Sequence, residues 1–189
     1  MNKLFLITAA ALTLGSSAHF LNAQPSGSAN PLGVLMMVPA NGSSHSGLIP
    51  IYEPRPFQSG ERFCLSVTSR QEGYIYAVYV SSQGSVNMLY PFAEDGDNRV
   101  RRGESRSLPA RGWFRFDDDP GKERVYVFES PERLADLEAA AASGGDLPAS
   151  VLLNYLRVAE ASRGAQNTKG IWRELNISVR RIDLDHVSR

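Results

Sequence analysis

"GYIYAVYVSSQGSVNMLYPF", residues 73–92, decides the fold. From Tyr74 to Val80 the side chains are apolar at odd and even positions alike, and most are aromatic or β-branched. Such a run predicts a strand covered on both faces, as at the centre of a sandwich. Ser81-Ser82-Gln83-Gly84 supplies a turn, and Val86 to Tyr90 returns as the second half of a hairpin. Pro91 cannot donate to a ladder and pushes Tyr90 toward extended geometry, so the return strand stops there. Tyr74, Tyr76, Tyr79, Tyr90 and Phe92 are read first as packing residues, because aromatic side chains on a central strand dominate a core.

Strand signals continue on either side. Upstream, "ERFCLSVTS" alternates, with Phe63, Leu65 and Val67 on one face and Cys64, Ser66 and Thr68 on the other. "IPIYEPRPF" carries prolines at 50, 54 and 56 and reads as an extended or edge piece. Residues 24–50 are rich in Pro, Gly, Ser and Asn and read as flexible linker. Val34 to Val38 inside it is either a docked edge strand or a loose segment. Downstream, "RVRRGESRSLP" is a polar strand broken at Gly103, and "GWFRF" pairs with "ERVYVFES" around the "DDDPGK" turn.

Helical spacing appears late. Ser130-Pro131 reads as a helix start. Leu134, Leu137 and Ala141 form one stripe, which Gly144-Gly145 ends. Leu152, Tyr155, Leu156 and Ala159 form a second stripe, ended at Gly164. A closing strand follows over 170–184, where Leu175, Ile177 and Val179 share one face and Ile182 and Leu184 the other; a bulge near Arg180-Arg181 would reconcile them. The expected fold is mainly β: an antiparallel immunoglobulin-like β-sandwich over 51–189, with a helical excursion at 131–163 inserted before the last strand.

Opposite charges balance, with 20 Lys+Arg against 20 Asp+Glu in 189 residues, which removes the electrostatic case for nucleic acid. Met1-Asn2-Lys3 followed by "LFLITAAALTLG" has the form of a signal peptide over 1–23, cut after Ala23 or, alternatively, after Ala18. No later stretch is apolar for long enough to span a bilayer as a helix. The expectation is an exported protein, periplasmic or secreted. Its one cysteine, Cys64, lies far from the cleavage region, has no internal partner, and is expected as a half-buried strand residue.

The order of elements "Gly60 … Gly73-Tyr74-Ile75-Tyr76 … Gly84 … Leu89-Tyr90-Pro91" resembles the DUF4384 family, a domain of unknown function. The similarity continues through Asp97-Asn98, Gly103-Glu104, Leu108-Pro109 and Pro120-Gly121-Lys122-Glu123, and covers roughly residues 55–133. The resemblance brings no activity with it. It implies by analogy a binding or assembly role in exported bacterial proteins.

Catalytic groups are sparse. Beyond the signal region the histidines are His45, in a Ser/Gly stretch, and His186, four residues from the end (His19 lies near the cleavage sites). Neither position promises the rigid support that nucleophilic catalysis needs, so no enzyme is expected. A concave pocket joining Cys64 or a carboxylate pair to His45 or His186 would revive a hydrolase reading. Glu94, Asp95, Asp97 and Asn98 offer oxygen ligands that suit a structural Ca2+, and Asp117-Asp118-Asp119 is a second acidic turn. Acidic turns usually need no ion, and one cysteine with scattered histidines argues against zinc. No cofactor is expected otherwise. Arg99, Arg101, Arg102, Arg106, Arg111 and Arg115 read as a solvated face, or as a grip for an anionic envelope polymer or glycan helped by Tyr79, Tyr90 and Phe92. The functional expectation is a non-catalytic envelope binding or assembly module, partnered by an unidentified protein or polymer.

Overall fold

A computed structural model describes residues 32–40, 47–92, 97–165 and 177–188. The signal-like segment, His19, His45, Glu94 and Asp95 lie outside these residues. The strands are β1 (Gly33–Pro39), β2 (Leu48–Ile51), β3 (Pro56–Gln58), β4 (Arg62–Thr68), β5 (Gly73–Val80), β6 (Val86–Tyr90), β7 (Arg99–Val100), β8 (Ser105–Leu108), β9 (Phe114–Arg115) and β10 (Gly121–Ser130). Then come helices α1 (Ala135–Ala142) and α2 (Ala149–Ala165), and strand β11 (Ser178–Val187).

The chain is mainly β, in two sheets. One runs β2-β1-β4-β8, with β9 also on β4; the other runs β3-β11-β10-β5-β6, with β7 also on β5. Pairings are antiparallel except β11 with β3, which is parallel, so the wholly antiparallel expectation is corrected there. Met36, Val38, Phe63, Leu65 and Val67 of the first sheet meet Ile75, Ala77, Tyr79, Val125, Val127 and Leu184 of the second. The second sheet buries its other face too. Tyr76, Val78, Met88 and Phe128 pack with Leu134, Leu137, Ala140, Leu152, Tyr155 and Ala159 from the helical region. β5 is therefore apolar throughout because one face meets a sheet and the other meets helices.

β11 follows the same logic. Its register against β10 is continuous from His186 opposite Gly121 to Ser178 opposite Glu129, so the bulge expected near Arg180-Arg181 is absent. Ile177 and Val179 simply serve the helix-side core, while Ile182 and Leu184 serve the inter-sheet core. The strand expected over 170–184 is observed at 178–187, and 166–176 lies outside the described residues.

Residues 24–50 are not linker throughout. β1 lies between β2 and β4 and sends Met36 and Val38 into the core, because the apolar run Val34 to Val38 has more to gain by burial than its Gly and Pro flanks oppose. β2 forms the edge. The Ala40 amide donates to the Gly47 carbonyl at 2.8 Å, so by alternation residues 48 and 50 turn their backbone polar groups away from β1. Pro50 thus occupies a position where no ladder donor is needed.

The expected helix start is also displaced. Ser130 pairs with Tyr74 as the last residue of β10, which holds it extended. Its hydroxyl accepts from the Glu132 amide at 3.3 Å, but α1 begins only at Ala135. Its N-cap, Leu134, has no side-chain cap of its own; the Leu134 amide donates instead to the Tyr76 hydroxyl of β5, at 3.0 Å. α2 runs through Gly164 to Ala165 without stopping at the glycine.

Candidate functional site

The aromatic platform is not on the surface. Tyr79 and Tyr90 are buried in the inter-sheet core and Phe92 is half-buried, because β5 and β6 are covered on that face. Arg106 is likewise no part of a free basic face. Its guanidinium donates to the Tyr90 hydroxyl at 3.0 Å, the Asp97 carbonyl at 2.6 Å and the Arg99 carbonyl at 2.8 Å, and it pairs with Glu104 at 2.8 Å. It fastens the loop before β7 to β8. Arg99 pairs with Glu72 at 2.6 Å in the open, and Arg101, Arg102 and Arg111 are exposed.

The described members of the expected Ca2+ set do not converge. Asp97 Oδ1 accepts from the Arg99 amide at 3.1 Å and from Arg133 at 3.4 Å. Asn98 is buried, and its amide donates to the Ile75 carbonyl at 3.2 Å and to Glu138 at 3.3 Å. Asn98 braces β5 against α1, which leaves its oxygen no shared focus with Asp97.

A different constellation lies at one end of the inter-sheet core. The sequence leads one to expect no rigid support for His186. It is instead held in β11, between β3 and β10, with its side chain fully buried. Its Nδ1 lies 2.8 Å from Glu123 Oε1 and its Nε2 lies 3.0 Å from Ser59 Oγ. The ring packs on Phe116, with centroids 5.0 Å apart. Glu123 faces inward because it shares a face of β10 with Val125 and Val127. Tyr79, opposite Val125 on β5, is its diagonal neighbour. Asp117 follows Phe116 at the half-buried rim. One ligand atom from each of Asp117, Glu123 and His186 lies within 4.8 Å of the others.

The electrostatics are unusual for a core. Burial pushes the Glu123 carboxyl up, and its bonds to His186 and its proximity to Tyr79 pull partly the other way. Burial, and then the Glu123 charge, push the Tyr79 phenol well above its ordinary range. Yet Tyr79's hydroxyl and Glu123 Oε2 are both buried without closing a hydrogen bond. The two atoms interact only weakly with one another, so each keeps part of its desolvation cost.

Ser59–His186–Glu123 has the distances of a nucleophile, base and orienting acid. Ser59 also lines an open cleft of about 340 Å³ with Arg55, Gly60 and Arg62. Acyl transfer also needs donors for an oxyanion. Here the amides of Ser59, Gly60 and Glu61 donate to the carbonyls of Val187, Phe116 and Gln58. These three donors are engaged, and the imidazole lies between the Glu123 carboxylate and the Ser59 hydroxyl. The signal for the cluster was present in the sequence as titratable residues on inward positions: Glu123 in step with Val125, and His186 in step with Ile182 and Leu184.

Residues 56–133 match the family model described as a domain of unknown function, DUF4384. No curated protein and no solved structure matches the chain. The matched region runs from β3 through β10 and holds Ser59, Tyr79, Asp117 and Glu123, while His186 lies outside it.

Proposed function

We propose that this chain, which carries a DUF4384 match over residues 56–133, is a non-catalytic, exported binding or assembly module of the bacterial envelope that takes up an extended segment of a partner protein along β2. One observation carries the reading. Leu48 and Ile49 are each 48% exposed and Tyr52 is 80% exposed, and all three lie on or beside the edge strand of the first sheet. Adjacent residues point to opposite faces, so Leu48 and Ile49 offer an apolar grip on both sides of an added strand. Outward, Leu48 offers both its amide and its carbonyl for main-chain pairing, and Pro50 its carbonyl alone. Export is supported by the signal-like pattern at residues 1–23. Among the described residues no helix is long and apolar enough to cross a membrane. We further read the two sheets as an immunoglobulin-like sandwich, a scaffold that presents binding edges and loops.

The test is crosslinking capture in the native envelope followed by mass spectrometry, with wild type against a Leu48→Lys/Ile49→Lys double variant that melts normally. Loss of one reproducible protein from the variant is expected. Equal capture by both sinks the reading. Capture of an anionic polymer that depends on Arg101 and Arg102 instead would transfer the role to that exposed basic turn.

A further inference from the structure

Orphaned polar atoms in a core call for a missing partner. At the end of this sandwich Glu123 Oε2 and the Tyr79 hydroxyl lack one, each on a residue about 1% exposed, beside an imidazole and a second carboxylate. We propose that Asp117, Glu123 and His186 bind one divalent cation of the zinc class, with the Tyr79 hydroxyl donating to the coordinated Glu123.

Geometry supports this. Three atoms no more than 4.8 Å apart share a point within about 2.8 Å of each, and zinc bonds to nitrogen and carboxylate oxygen are about 2.0–2.2 Å. Asp117 therefore closes by less than about 1 Å, while His186 Nδ1 and Glu123 Oε1, now 2.8 Å apart, open by roughly 0.5 Å to admit the ion in tetrahedral geometry. The donor chemistry fits as well. One imidazole nitrogen and two carboxylates suit a borderline cation, whereas Ca2+ and Mg2+ favour all-oxygen shells. Two carboxylates also neutralise a dication, which relieves the burial of Glu123.

The exchange balances. The cation takes the place of the proton shared by His186 Nδ1 and Glu123 Oε1, and that proton leaves to solvent. Nδ1 becomes the ligand, and Nε2–H donates to Ser59 Oγ, the kind of outer contact that fixes a metal-bound histidine. Asp117, half-buried at the rim, gives the cation its way in. The site is structural: it fastens the C-terminal strand to the loop after β9 and to β10.

Calorimetric titration of the tag-free full chain with Zn2+, in buffers of different ionisation enthalpy, tests this. We expect one saturable site per chain with proton release, and at least about tenfold weaker binding by Asp117→Asn and by Tyr79→Phe. Asp117→Asn keeps the oxygen that accepts from the Asp119 amide, so its metal-free melting should match wild type. Glu123→Gln should abolish the site. No saturable binding by wild type, or equal binding by Asp117→Asn, overturns the proposal.

Discussion

Cys64 shows how much one position depends on its neighbours. Alternation correctly placed it on the face of β4 away from Phe63 and Leu65, and so predicted a half-exposed thiol. It is instead 3% exposed. Burial pushes the thiol up, offset in part by the Ser107 hydroxyl, so less thiolate is present at any given pH. Modification by a thiol reagent at pH 8 should run at least about tenfold slower in the native protein than in denatured chain. Equal rates would refute the burial argument. Gly73 makes the complementary point. A Cβ there would meet the Ser130 carbonyl oxygen at 2.1 Å, so the glycine of the Gly-Tyr-x-Tyr series is required by a strand distant in sequence. Glu129 is similar: fully buried on an apolar face, it accepts from the Ser69 hydroxyl at 2.5 Å and the Arg70 amide at 2.9 Å, and so fixes the turn before β5. Periodicity locates such residues; their partners lie too far along the chain to be read from it.

Among the elements, the hairpin and the stripe of Leu152, Tyr155 and Ala159 were legible, since period two and period 3.6 are local properties, whereas in the first stripe Ala140 and not Ala141 is buried. The start of α1 was not, because its cap comes from β5. The Tyr76 hydroxyl accepts from the Leu134 amide and donates to Glu138 Oε1 at 2.6 Å. Glu138 is also reached by Asn98 and by Arg133, the latter at 3.1 Å. Tyr76→Phe removes both hydroxyl bonds and should cost about 1–3 kcal/mol. Hydrogen exchange should then quicken in α1 while the β10–β11 amides keep their protection. Uniform loss of protection across both sheets would show that the hydroxyl supports the whole fold and not the helix start.

At the scale of the molecule, strand periodicity and turn signals identified a mainly β chain. The match over 56–133 does not contain its own sheet neighbours. β1, between β2 and β4, precedes it, and β11, between β3 and β10, follows it. Within 24–50 the docked alternative for Val34 to Val38 is the one observed, in an interior and not an edge strand, because strand pairing over long separations leaves no local mark. A fragment of residues 51–189 therefore loses Met36 and Val38 from the core and exposes the edge of β4. It should show no cooperative thermal transition by circular dichroism where the full chain shows one. A cooperative melt in the fragment would make β1 dispensable.

The interior position of β11 also sets a timetable. A ribosome delivers this strand after every other described one, yet β3 and β10 have no direct contact in the sheet until it slots between them. A nascent chain halted before residue 178 leaves the inner edge of β10 bare and Glu123 without its imidazole. Pairing across β3, β11 and β10 thus waits for residues 178–187, and until they are in place this part of the second sheet stays unclosed.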